Sequence, residues 1–253
     1  MYTGRVDATN YLMRIGAAGD DPLDVLMRRH LETVPFENVS IHERDAVPLE
    51  DEALVGKVVD RRRGGFCYEL NGAFAWLLGE LGHEVARCSA RVATPDGLSF
   101  PGDHMALVVD GHTLVDVGFG RFAVGPIDLD SRADQPDRSG VFTVRDAPDG
   151  ELDVWWGDRA QYRLDPRTRS LRDFVPMAWW HRTSPTSPFT REVTCSMLTP
   201  TGRVTISGPK LIETADDGTR TERTLTAAEQ RDVYRDVFGI VLEEVPPPLC
   251  PPS

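Results

Sequence analysis

Three residues, Cys67, His104 and Asp116, have the types and surroundings for nucleophilic chemistry. Cys67 lies in Arg61-Arg62-Arg63-Gly64-Gly65-Phe66-Cys67-Tyr68-Glu69-Leu70-Asn71-Gly72, where a glycine-rich turn gives way to a helical pattern. A thiol on the first turn of a helix meets unpaired N–H groups and the positive end of the helix dipole. Both favour the thiolate, which is the nucleophilic form. Such a nucleophile needs a base, and the base needs a third group to orient it. His30 and His42 fall in helical stretches with no oriented carboxylate, and His83 follows a helix stop. His112 sits near a hairpin tip, and His181 lies among Trp179, Trp180 and Arg182. His104 is the histidine with a carboxylate at a suitable spacing.

That spacing belongs to a hairpin, Asp103-His104-Met105-Ala106-Leu107-Val108-Val109-Asp110-Gly111-His112-Thr113-Leu114-Val115-Asp116-Val117-Gly118. A two-residue loop, Asp110-Gly111, sets His104 opposite Val117. A three-residue loop, Val109-Asp110-Gly111, puts Gly111 at the left-handed third position and sets His104 opposite Asp116. Directly opposed Cβ atoms lie about 4.5–5.5 Å apart, within reach of an imidazole–carboxylate hydrogen bond. The three-residue loop is the expected one. It also gives Asp116 a partner, which a carboxylate in the apolar run Leu114-Val115-Asp116-Val117 needs.

The elements that must position these groups follow from periodicity. Leu70, Phe74, Leu77, Leu78 and Leu81 fall on one helical face after Cys67, and Gly82 supplies a left-handed stop. Helical spacing also predicts helices over 8–15, 23–34 and from 54 to 59, with Pro35-Phe36-Glu37-Asn38 as a loop. From Val85 the period changes to two. Strands are expected over 85–92, 105–109, 113–117, 141–145, 152–156 and 161–164, forming a small barrel or antiparallel sheet. Residues 125–140 are polar and read as a surface crossover. Strands over 193–198, 203–207 and 210–214 then precede a helix from Thr226, whose capping pattern includes Glu229, to about Val237. The tail from Pro246 to Ser253 reads as extended. This is an α+β chain, expected to divide at 1–85, 86–185 and 186–253.

Composition narrows the function. The 253 residues carry 28 Lys+Arg against 40 Asp+Glu, a net charge of −12 that argues against general nucleic-acid or anionic-membrane binding. No apolar run approaches the roughly 20 residues of a membrane span, and Met1 to Asn10 does not resemble a signal peptide. Cys67, Cys88, Cys195 and Cys250 form no Cys-x-x-Cys pair, so neither a metal site nor a dithiol is expected. Free thiols suggest the cytoplasm.

Several segments together resemble the arylamine N-acetyltransferases. Arg62 to Gly72 is similar to that family's Arg-Gly-Gly-aromatic-Cys-aromatic-Glu-x-Asn segment. Val34-Pro35-Phe36-Glu37-Asn38 resembles its Pro-Phe-Glu-Asn segment, and Val115-Asp116-Val117-Gly118-Phe119-Gly120 its Asp-Val-Gly-Phe-Gly segment. Tyr11-Leu12-x-Arg14-Ile15-Gly16 fits its N-terminal pattern. The resemblance implies a helical domain, an antiparallel β-barrel and an α/β lid around a cysteine-protease or transglutaminase-like Cys67–His104–Asp116 core. It also implies ping-pong transfer from acetyl-coenzyme A to an arylamine, hydrazine or similar small-molecule amine. Phe36, Phe119 and Arg121 stand where the family lines its acceptor pocket, and Phe119 and Gly120 near where coenzyme A enters. One departure is Asp103, where the family has a small hydroxyl residue; an acidic side chain there would disfavour coenzyme A phosphates. Three other readings stay open: an amide synthase that macrocyclises a polyketide chain delivered by an acyl carrier protein, a thiol hydrolase, and an inactive binding protein.

Overall fold

The computed structural model describes residues 7–45 and 48–250. The part of the signal-peptide reading that covers 1–6, and the part of the tail reading that covers 251–253, lie outside them. Helices α1 (Ala8–Ile15), α2 (Leu23–Thr33), α3 (Val39–His42), α4 (Asp51–Val59) and α5 (Cys67–Glu80) open the chain, with strand β1 (Phe36–Glu37) between α2 and α3. Helices α1, α2 and α5 lie where their spacing predicts, while α4 begins three residues before the expected Leu54. Asp7 caps α1 through the Thr9 N–H at 2.9 Å, and Gly16 closes it at φ 66°. Gly82, at φ 94°, follows the end of α5 as predicted.

The central elements are strands β2 (Val85–Thr94), β3 (Gly97–Leu98), β4 (His104–Val109), β5 (Thr113–Val115), β6 (Ile127–Asp128), β7 (Gln135–Asp137), β8 (Gly140–Asp146), β9 (Leu152–Trp156) and β10 (Arg159–Arg169). They form an antiparallel sheet in the order β6-β5-β4-β2-β10-β9-β8-β7, with β3 paired off the end of β2. The sheet curls until its two edge strands meet. There the Gln135 side chain stands in for a ladder, accepting from the Asp128 N–H (2.8 Å) and donating to the Asp128 carbonyl (2.8 Å). The crossover expected over 125–140 thus contains both strands of the barrel seam.

Helices α6 (Leu171–Thr183) and α7 (Pro188–Arg191) lead to strands β11 (Thr194–Thr199), β12 (Gly202–Ser207), β13 (Lys210–Ala215) and β14 (Arg220–Thr224), then helix α8 (Ala227–Asp236). The expected cap forms on α8, with Thr226 and Glu229 bonded in both directions. This second sheet runs β1-β11-β12-β13-β14, so the Pro35-Phe36-Glu37-Asn38 segment is not a free loop. Phe36 pairs with Ser196 and Glu37 with Cys195. Asn38 completes the join, donating to the carbonyls of Phe189 and Glu192 and accepting from the Thr194 N–H.

Alternation on β4 sorts its side chains between two cores. Leu107 and Val109 pack with the helices, while Ala106 and Val108 face the barrel interior beside Phe122, Phe142 and Tyr162. A third core gathers Cys195, Ile206, Val233 and Tyr234 under α8. Among the described residues no helix is long and apolar enough to cross a membrane.

Candidate active site

Cys67 is the first residue of α5 and is buried. Two close backbone approaches put it there. The backbone at Gly64 lies so near the Pro35 carbonyl that a Cβ would sit 1.7 Å from that oxygen. Gly118 lies against the helix start, where a Cβ would come within 2.8 Å of the Cys67 Cα. Phe66 has no cap acceptor, so Glu69 completes half a capping box, accepting the Phe66 N–H at 3.2 Å.

Glu69 is itself buried and belongs to an ionic network. Lys57 donates to it at 3.0 Å and lies 3.9 Å from Glu37, while Arg182 and Arg63 approach Glu69 and Glu37 from either side. Burial pushes the Glu37 carboxyl up, but Lys57, Arg63 and the Val39 N–H hold it below the usual range. Sequence reasoning missed Lys57. One lysine inside an amphipathic helix gives no signal until the two carboxylates beside it are known.

The hairpin register differs from the expected one by two residues. Leu107 pairs with Val115 and Val109 with Thr113, which leaves Asp110, Gly111 and His112 as the loop. Asp110 explains the shift. Its N–H bonds the Glu84 carbonyl, and its carboxylate accepts from the Glu84 N–H and meets His83 Nδ1 at 2.9 Å. Asp110 is thereby held to the α5–β2 connection, and the turn moves one residue along. A two-residue shift preserves the face. His104 and Asp116 still point the same way and meet diagonally, Nε2 to Oδ2 at 2.7 Å.

Asp116 lies just past β5 and is fully enclosed. Besides His104 it accepts from Asn71 Nδ2 (2.9 Å), the Gly118 N–H (3.0 Å) and the Tyr162 hydroxyl (3.2 Å). Asn71 also bonds the Met105 carbonyl and the Val117 N–H, clamping α5 to both strands. It stands four residues after Cys67, one turn along the same face, and that spacing is the signal that could have identified it. With Nε2 on Asp116, the other ring nitrogen of His104 is the one left to serve Cys67, whose side chain favours the charged ring. Burial pulls the His104 pKa down. The Asp116 charge and hydrogen bond, aided by Cys67, outweigh it and raise the value to about 10. The arrangement is a buried thiol against a ring that stays protonated at neutral pH.

Cys67 and His104 open onto a cavity of about 630 Å³ walled by Phe36, Phe100, Phe119, Trp180 and Phe189, with Asp103 and His181 on one side. Phe36 and Phe119 are therefore at the site. Arg121 does not line this cavity. Its guanidinium lies 4.8 Å over the Trp156 ring, beside a shallow depression shared with Arg138 and Arg203. Gly120 does not line the cavity either, though its backbone passes behind Phe36. His181, set aside on sequence, does line it. It reaches the site on α6, an element the sequence did not announce.

Residues 21–245 match the model of a family described as N-acetyltransferase. The arylamine N-acetyltransferase of Mycobacterium tuberculosis is 34% identical over 95% of this chain and 91% of its own length. That of Mycolicibacterium smegmatis is 33% identical over 95% and 94%. The solved structure of the Mycobacterium marinum enzyme superposes with a TM-score of 0.85 at 32% identity, covering 92% of this chain and 93% of that one. A second structure of it, in complex with CoA, gives 0.83 at 33% identity over the same shares. On its sequence, its fold and the buried thiol–imidazole–carboxylate array at the head of α5, this chain belongs to the arylamine N-acetyltransferase family.

Proposed function

We propose that this protein transfers an acetyl group from acetyl-CoA to the nitrogen of an arylamine, hydrazine or arylhydroxylamine through a thioester on Cys67. The observation that carries this reading is the Cys67–His104–Asp116 array, buried at the floor of an aromatic cavity. Membership of the family and the coenzyme A complex of a relative support the donor.

Cys67 acts as nucleophile. Its sulfur attacks the acetyl carbonyl carbon, the carbon–sulfur bond to coenzyme A breaks, and His104 gives its proton to the departing thiolate. Neutral His104 then accepts a proton from the incoming amine as its nitrogen attacks the Cys67 thioester. Loss of the Cys67 thiolate restores the starting pair. Asp116 holds Nε2 throughout, which fixes the ring and leaves the other nitrogen for these transfers. The Cys67 N–H, on the unbonded first turn of α5, stabilises the oxyanion of each tetrahedral intermediate. Phe36 and Phe119 contact the acceptor ring. Arg121, which stands off the cavity, would act on longer substrates, and Phe119 and Gly120 lie along the donor's path. The divisions at 1–85, 86–185 and 186–253 and a cytoplasmic location, the latter in keeping with four free thiols, belong to the same reading.

Intact-mass analysis after mixing with acetyl-CoA tests it. One acetyl adduct is expected, removed by an added arylamine and absent in Cys67→Ser. An adduct that persists in Cys67→Ser excludes this nucleophile.

A further inference from the structure

The cavity lining includes one carboxylate, Asp103, held in place by its neighbours. Of the charged groups lining it, Arg91 is paired with Glu151 and His104 with Asp116. Asp103 and His181 remain. His181 Nε2 lies 3.1 Å from the Asp103 carbonyl oxygen and 3.2 Å from its Oδ1. A carbonyl oxygen can only accept, so Nε2 carries the hydrogen and the Asp103 carboxylate is an acceptor. Burial pushes the Asp103 carboxyl up, but hydrogen bonds from His181 and Ser99 outweigh it and keep the group below the usual carboxylate range.

The position of this anion is also fixed. The Tyr68 hydroxyl lies 2.6 Å from the Gly102 carbonyl and 3.0 Å from that of Asp103, tying the segment to α5 one residue after Cys67. The Asp103 side chain is 14% exposed, and its opening is onto the cavity. The remaining walls are almost wholly apolar. A charged substituent on a bound ring would meet Asp103 in surroundings that screen it far less than water does.

We propose that Asp103 determines the acceptor class, favouring arylamines whose ring carries a cationic group and rejecting those that carry a carboxylate. This rests on the acetyl-transfer reading above. Rejection is the stronger half, because a carboxylate beside Asp103 loses water and gains repulsion, and Arg91 is already engaged.

Three para-substituted anilines of similar size make the test: 4-aminobenzoate, 4-methoxyaniline and 4-(dimethylaminomethyl)aniline, whose tertiary amine cannot be acetylated. In the unmodified protein, kcat/KM for the cationic acceptor should exceed that for the anionic one by at least about tenfold, equivalent to roughly 1.4 kcal/mol. In Asp103→Asn that ratio, each arm normalised to 4-methoxyaniline, should fall by about tenfold. Asp103→Ser serves equally if Asp103→Asn does not fold. A cation-to-anion ratio near one in the unmodified protein overturns the assignment whatever the variants do, and so does a ratio that the substitutions leave unchanged. Failure to acetylate even 4-methoxyaniline rejects the acetyl-transfer reading itself, a distinct outcome.

Discussion

Asp116 shows how much positioning one buried carboxylate can do. Its four donors come from α5, β4, β10 and its own turn, so its charge is stabilised without a cationic side chain other than His104. This has a signed consequence for pH. The folded-state pKa of His104 is raised to about 10, against about 6.5 for a free histidine. The stability contributed by the imidazolium is therefore fully present below about pH 6.5 and lost as pH rises through about 10. The slope over that window is at most about 1.4 kcal/mol per unit. Urea midpoints of the unmodified protein and of His104→Gln, measured from pH 6 to 10.5, should show that difference shrinking across the window. A constant difference would refute the pairing. The residues that make the site were readable because their chemistry is unusual for their surroundings: a thiol at a helix start and an aspartate in an apolar strand. Asn71 and Tyr162 were harder to see, since each looks ordinary until the carboxylate it serves is in place.

Among the elements, the legible ones were those governed by local rules. The spacing of α1, α2 and α5 and the cap of α8 are properties of neighbouring residues, and they appear where expected. Elements defined by distant partners were not legible. Two-residue β1 exists only because β11 lies beside it. Strand β14 is exposed throughout and carries no alternating apolar signal. Helix α6 contains Pro176, which discourages a helical reading although the chain tolerates it. The hairpin register failed for the same reason, because Asp110 answers to Glu84 rather than to its own turn. Two glycines in this region separate backbone strain from close approach. Gly118→Ala drives a Cβ to 2.8 Å from the Cys67 Cα. Gly111→Ala, at φ 82° with nothing within 4 Å, meets only the left-handed penalty. Gly111→Ala should cost about 1–2 kcal/mol in urea denaturation and keep acetylation. Gly118→Ala should lower acetylation by about a hundredfold, as a nucleophile displaced by an ångström would. Equal activities would show that the contact at Gly118 does not position the thiol.

At the scale of the whole molecule, the site sits between the helices, the barrel and the second sheet, and distant parts of the chain reach it. Cys67 belongs to α5, His104 and Asp116 to the barrel, and Phe189 to the stretch entering the second sheet. The loop before Cys67 is bonded to Phe36-Glu37, which is in turn the edge strand of a sheet made by residues 194–224. Asn38 and Thr194, which seal that join, are 156 positions apart. Closing so long a loop is slow relative to closing the barrel's adjacent hairpins.

The chain therefore carries its own record of assembly. Cys88 is buried in the barrel core and Cys195 in the core under α8, while Cys67 packs with Phe66, Met105 and Phe174 beside the cavity. Pulse alkylation during refolding, read peptide by peptide, should find Cys88 shielded before Cys195. Shielding of Cys195 before or together with Cys88 would mean that the second sheet does not wait for the barrel. With the expected order, Cys67 has its helix and its histidine before the wall carrying Phe189 and the sheet behind Phe36 close around it. The reactive centre is then built before the pocket that selects its substrates.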